Sequence, residues 1–221
     1  KYYVESGGEY NDITPIRATT SAGDVTFAAT DTSSTLVVTD TAHGAITNDY
    51  VTFSGSTTLG GVVTAAVLDQ EYQIDLVVNA NSYNITAKDT AGATVTANAS
   101  DIGNGGTVTG VYQVNTGPET NIPRTGWGAA TYGDGTYGVG SSGSNLTDLR
   151  IWNHSNFGED LIIAPNGEGI YYWDASAGLV ANRAVNISTL SGASDTPTVQ
   201  NFILVSDASR FVFAFGTNEL G

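Results

Sequence analysis

The sequence predicts an all-β protein, and three observations carry that reading. Short runs alternate apolar with polar residues or are rich in Val, Ile and Thr. Gly, Asn, Asp or Pro punctuates nearly every break, and the chain holds 27 glycines in 221 residues. A helical period is almost absent.

Taken in order, Lys1-Tyr2-Tyr3-Val4 reads as a strand already under way. Between residues 21 and 111 the strand runs are 25–28, 35–39, 50–53, 72–77, 82–86 and 94–96, separated by Gly/Asn/Asp turns. β-Branched residues dominate them, so this stretch predicts a small β-sandwich or barrel. Thr64-Ala65-Ala66-Val67-Leu68 is the exception, one helical turn following Gly60-Gly61. Further on, Ile151-Trp152 opens a strand and residues 153–158 read as a turn. Residues 161–164 form an apolar strand that Pro165-Asn166-Gly167 ends, and residues 170–174 form another, closed by Gly178. Residues 182–187 and 202–206 continue the rhythm. Residues 211–215, FVFAF, read as a continuous apolar strand suited to burial on both faces. Short aromatic strands joined by tight turns predict a propeller blade or a similar β array.

A composition break divides the chain. Residues 21–112 are rich in Thr, Ala, Val and Asp and contain no Trp, Pro or Arg. Their acids are Asp24, Asp31, Asp40, Asp49, Asp69, Glu71, Asp75, Asp89 and Asp101, against Lys88 alone. The flanks, residues 1–20 and 113–221, share an aromatic-rich β character and hold Trp127, Trp152 and Trp173. A small domain with neighbouring termini is readily inserted into a loop of a host fold, so residues 21–112 are expected to be an insertion. The strands after residue 113 amount to about two blades, and propellers close with about four or more. The remaining blades are therefore expected from further sequence or another chain. The lack of Met and the strand-like start also predict a portion of a longer protein.

The formal charge is −15, from 22 Asp/Glu and seven Lys/Arg. Phosphate binding needs clustered cations, so this balance argues against nucleic-acid binding. The absence of Cys excludes disulfides, thiol nucleophiles and thiolate metal sites. No run is long enough for a membrane-spanning helix.

Candidate chemistry is sparse. His43 and His154 fall in predicted turns of different units, where a loop hydrogen bond is the expected role. Glu159 and Asp160 are adjacent and on a strand would face opposite ways; Asp174 or Asp207 could complete a glycosidase pair, whose carboxyls stand about 5–10 Å apart. Both of these aspartates follow predicted strands, where aspartate stabilises turns. Gly133-Asp134-Gly135 lacks the EF-hand pattern, and Gly103-Asn104-Gly105-Gly106 lacks the Lys-Ser/Thr of a phosphate loop. Asn84-Ile85-Thr86 and four other Asn-x-Ser/Thr matches arise readily in a chain this rich in Ser and Thr. Trp127, Trp152, Trp173, Tyr171 and Tyr172 could stack a sugar, but blade packing is the expected role. No catalytic residue, cofactor or metal site is expected.

Several ordered segments carry a resemblance: YYVESGGEYNDITPIR (2–17), GWGAATYGDGTYG (126–138), NFGEDLIIAPNGEGIYYWD (156–174) and FILVSDASRFVFAFG (202–216). They resemble the propeller core of tail-nozzle proteins of short-tailed bacteriophages, the tail tubular or phage stabilisation proteins. TAHGAITNDYVTFSG and LDQEYQIDLV, within residues 41–77, resemble a small β module that phage tail proteins carry as an insertion. The resemblance implies a structural protein of the virion tail and not an enzyme. It implies a homohexameric ring that meets adaptor and fibre proteins and retains, then conducts, DNA without binding it specifically. An acidic wall that repels DNA suits such a channel. The rival classes are a carbohydrate-binding or adhesive tail-fibre or surface module, marked by an exposed aromatic cleft, and a polysaccharide-degrading tail enzyme, which needs two facing carboxylates.

Overall fold

The computed structural model describes residues 1–103, 106–117 and 150–219. These residues form seventeen strands, one four-residue helix and two 3-10 turns, so the protein is all-β. The chain opens with a hairpin, β1 (Tyr3–Ser6) and β2 (Glu9–Asp12). Next come β3 (Ile16–Thr19), β4 (Thr26–Ala29), β5 (Thr35–Thr39) and β6 (Tyr50–Ser54). The helix α1 (Ala65–Leu68) is followed by β7 (Glu71–Gln73), β8 (Leu76–Asn79), β9 (Ser82–Thr86), β10 (Asp101–Gly103) and β11 (Thr109–Gln113). The last part contains β12 (Trp152–Phe157), β13 (Asp160–Pro165), β14 (Tyr171–Trp173), β15 (Val185–Asn186), β16 (Phe202–Val205) and β17 (Val212–Phe215).

Two antiparallel sheets, β10-β4-β5-β9-β8 and β3-β11-β6-β7, pack face to face as an open sandwich. Strict alternation builds the core: in β5, Leu36 and Val38 point in while Thr35, Val37 and Thr39 point out. Phe27 of one sheet meets Phe53 of the other edge to face, with ring centroids 5.0 Å apart. Each such fully buried side chain stabilises the fold by about 1.5–3 kcal/mol relative to exposure. The single predicted helical turn is α1, which tucks Val67 and Leu68 into the same core.

The run at residues 72–77 is not one strand. It breaks at Ile74, which is wholly buried, and the chain crosses there from the four-stranded to the five-stranded sheet. The Ile74 backbone bonds to Asn48 and Asp49 on the adjoining loop instead of continuing a ladder (2.8 Å each). Residues 94–96 make only one bridge, Thr94 to Lys88.

β12, β13, β14 and β15 form a four-stranded meander, and β16-β17 is a separate hairpin. Residues 153–157 are strand, not turn. The turn is the two-residue loop Gly158-Glu159, since Phe157 pairs with Asp160. Gly158 has φ +77°, which suits the first central position of a type II′ turn. The polar residues of β12 serve packing: Asn153 Oδ1 accepts the Ile203 N–H (3.1 Å) and Ser155 Oγ accepts the Val205 N–H (3.3 Å). They thereby satisfy the outer edge of β16.

The segment between β2 and β3 joins the two parts. The Ile16 N–H donates to Ala184 O (3.0 Å), the Val114 N–H to Pro15 O (2.9 Å) and Arg183 Nε to Thr14 O (2.8 Å). Ile13, Val114, Ile163, Tyr171, Trp173 and Ala184 share one buried cluster. β3 therefore belongs to the sandwich sheet, although it precedes the composition break at residue 21.

Candidate functional site

Of the four carboxylates considered for a hydrolytic pair, Asp160 and Asp174 have structural partners. Asp160 opens β13, accepting the Tyr172 hydroxyl (2.7 Å) and the Ala175 N–H (3.0 Å). That bond to Asp160, with a smaller contribution from burial, pushes the Tyr172 phenol up to about 12. Asp174 caps a 3-10 turn, accepting the N–H and hydroxyl of Ser176 (2.8 and 2.6 Å), and these bonds hold its carboxyl below the usual range. Glu159 lies exposed in the β12–β13 turn, and Asp207 lies exposed between β16 and β17. No group of three or more His, Cys, Asp or Glu suited to a metal occurs among the described residues.

The aromatic residues divide. Trp173 and Tyr171 are core, and the Trp173 indole donates to Asn182 O (3.1 Å). Burial pushes the Tyr171 phenol up to about 12, with the Glu168 charge adding to it. Trp152 is half-buried and stacks on Tyr2 at 5.3 Å, while the exposed His154 meets the Tyr2 edge at 5.9 Å. Trp127 and Gly133-Asp134-Gly135 lie outside the described residues, as does the 126–138 segment; so do Asn104 and Gly105 of the glycine-rich loop.

His43 is a buried loop pin. Its Nδ1 accepts the Ala45 N–H (3.0 Å), so Nε2 carries the proton and donates to Asn79 O (3.0 Å). Next to it, the sandwich core holds a polar chain that sequence reasoning missed. The Tyr112 hydroxyl donates to buried Asp40 (2.6 Å) and pairs with the Tyr83 hydroxyl (2.8 Å). Burial raises both phenols strongly. Asp49 is buried too, accepting from the Ile46 N–H (2.9 Å) and Asn115 Nδ2 (2.7 Å), and burial raises its carboxyl despite these bonds. Thus two of the nine acids of residues 21–112 are interior.

The surface field is set by where the cations go. Lys1 pairs with Asp12 and Glu71, Arg183 with Asp12 (3.3 Å) and Arg150 with Glu168 (2.6 Å). Arg17 lies over the Tyr112 ring and donates to His43 O (3.1 Å). The Arg210 guanidinium lies against the Gly158 turn. These five cations are engaged in fold contacts, while most acids face solvent. The second notable surface is apolar: Phe202, Leu204, Phe213 and Phe215 stand exposed on one face of the β16–β17 hairpin. On the opposite face Val212 is exposed as well, so among the described residues only Ala214 of this strand, predicted to be buried on both faces, is partly covered.

No protein-family model matches the chain, and no curated protein matches it. Among solved structures, it is similar to the phage phi92 endosialidase at 14% identity and a TM-score of 0.27, with 93% of this chain and 28% of that one covered. The chain thus spans less than a third of that protein's length, and a likeness at this level carries no argument. Among the described residues, no helix is long and apolar enough to cross a membrane.

Proposed function

We propose that this chain is a structural part of a short-tailed bacteriophage tail, a nozzle component without catalytic activity. The observation that carries the reading is the ordered set of segments at 2–17, 126–138, 156–174 and 202–216. In this reading β12–β15 is one blade of a propeller scaffold, completed by further chain, and the sandwich is its insertion. Subunits assemble in a sixfold ring beside adaptor and fibre proteins. The acidic surface, with its cations drawn into fold contacts, keeps DNA from adhering to the wall.

Antibodies raised against residues 1–221 test this by immunogold electron microscopy of virions of a phage that encodes the chain. Label at the distal tail is expected. Absence of the protein from purified virions, or label confined to a capsid or a non-viral particle, overturns the reading.

A further inference from the structure

We propose that the buried His43 is an acid-released latch: protonation of its ring frees residues 43–45 in the loop between β5 and β6, while residues 47–49 of the same loop stay anchored. This inference rests on the sandwich alone and is independent of the nozzle reading.

The loop carries the chain from the five-stranded sheet to the four-stranded sheet. Its two halves are held by different chemistry. Residues 47–49 hang on backbone and hydroxyl groups that do not titrate. The Asn48 N–H donates to Ile74 O and the Ile74 N–H to Asp49 O (2.8 Å each), and the Val77 N–H donates to Thr47 Oγ1 (3.2 Å). Residues 43–45 hang on one imidazole. Its Nδ1 accepts the Ala45 N–H, and its Nε2 donates to Asn79 O at the end of β8, both at 3.0 Å. Ala45 is thereby held in the sandwich core. Ala42 and Gly44, on either side of the ring, have left-handed backbone, with φ +55° and +60°. An L-residue such as Ala42 rarely adopts that conformation, so the loop closes against backbone strain.

Only the neutral ring can hold it closed. A proton on Nδ1 turns the acceptor into a donor, and two donors then meet 3.0 Å apart. The bond to Asn79 survives in either state and does not discriminate. The added charge also lacks a counterion. His43 is 6% exposed. From β3 the Arg17 guanidinium donates to the His43 carbonyl, and from β9 the Tyr83 ring meets the imidazole edge to face at 5.0 Å. Asp40 holds the Tyr112 hydroxyl of β11. Among the described residues no carboxylate forms an ion pair with the ring. An unpaired buried cation is unfavourable, and opening the loop to water relieves it. Histidine is the side chain that gains a proton between neutral and mildly acidic pH. The open loop takes the proton that the closed loop rejects, so acid favours opening.

Asp49, at the other end of the loop, responds in the opposite sense. Burial raises its carboxyl despite the bonds from Ile46 and Asn115 and the charge of Arg17, and Glu168 adds to the rise. A carboxyl raised in the folded state favours that state as pH falls through the raised value. Acid therefore leaves the Asp49 end shut, and the loop hinges there.

The test is amide hydrogen exchange of residues 1–221, followed by NMR between about pH 7.5 and 5. Protection at Ala45 should fall at least about tenfold over that range and return on neutralisation, while Asn48 and Ile74 stay protected. His43→Asn should abolish the response, because its Oδ1 accepts the Ala45 N–H as an Asx turn and takes no proton. Asp49→Asn should keep the response. The chain has two histidines, so the exposed His154 is the reference for the ring signals. Charging of the His43 ring should coincide with the loss of protection at Ala45. Constant protection at Ala45, a charged His43 ring with Ala45 still protected, the same fall in His43→Asn, or equal losses at Asn48 and Ile74 overturns the proposal.

Discussion

Asp12 shows how a single carboxylate can tie distant segments. Burial alone would raise it, but hydrogen bonds from Thr14 and the charges of Arg183 and Lys1 outweigh that and hold it below the ordinary range. A depressed carboxylate stabilises the folded state fully above its unfolded value, near 4, and loses that contribution as pH falls through the folded value. Asp12→Asn should therefore cost about 1–3 kcal/mol at neutral pH. Urea unfolding of the two proteins should converge at about pH 2. A constant difference across that range would show that the carboxylate is not ionically linked. Tyr112 offers a second case, because its hydroxyl serves both Asp40 and Tyr83. Tyr112→Phe should cost about 2 kcal/mol, since a buried carboxylate loses its donor. In alkaline titration of the 11 tyrosines, Tyr83 and Tyr112 should ionise only as the chain unfolds. Titration of all of them near 10 in a protein with native circular dichroism would contradict the buried pair. None of this was legible beforehand. Asp40 and Asp49 carry the same letter as the exposed aspartates around them, and burial of a carboxylate is decided by partners distant in sequence.

At the scale of elements, strands with apolar alternation were legible and strands with polar duties were not. β5 and β9 match their expected bounds because the 2.0 period is unbroken and both face the core. Asn153, Ser155 and Asn156 are turn-forming residues and predict a turn where β12 runs; instead, two of them bond the backbone of β16. Asn153→Ala combined with Ser155→Ala should leave the Ile203 and Val205 N–H groups unpaired and cost about 2–3 kcal/mol. Amide hydrogen exchange provides the measurement. Faster exchange at Ile203 and Val205, with β13 and β14 still protected, is expected; unchanged rates would mean another group satisfies that edge. β17 is the opposite case. Its hydrophobicity signals burial, but the partner that would bury one face does not lie within the described chain. The break at Ile74 is hidden because the buried–exposed alternation runs on through Tyr72, Gln73, Ile74 and Asp75 while the ladder they bond to changes.

For the molecule as a whole, the composition break and the packing break do not coincide. The sandwich cluster is drawn wholly from residues between Val25 and Tyr112, in agreement with the change in composition. Yet β11 lies between β6 and β3, and β3 belongs to residues 16–19. A fragment cut at residue 21 loses β3 and turns β11 into an edge strand, with Val111 and Tyr112 deprived of their partners Thr19 and Ala18. Extending it to residues 15–116 restores that ladder and the Val114-to-Pro15 hydrogen bond. Both fragments should fold, because the buried cluster is intact in each. The longer should be the more stable by about 2–4 kcal/mol, for the ladder hydrogen bonds contribute about 1 kcal/mol each. Dispersed proton–nitrogen spectra and urea midpoints of the two fragments decide the matter. Equal midpoints would place the boundary at residue 21, where composition puts it. Failure of both to fold would mean that the sandwich depends on the Ala184 side of β3, and that the chain is a single cooperative unit.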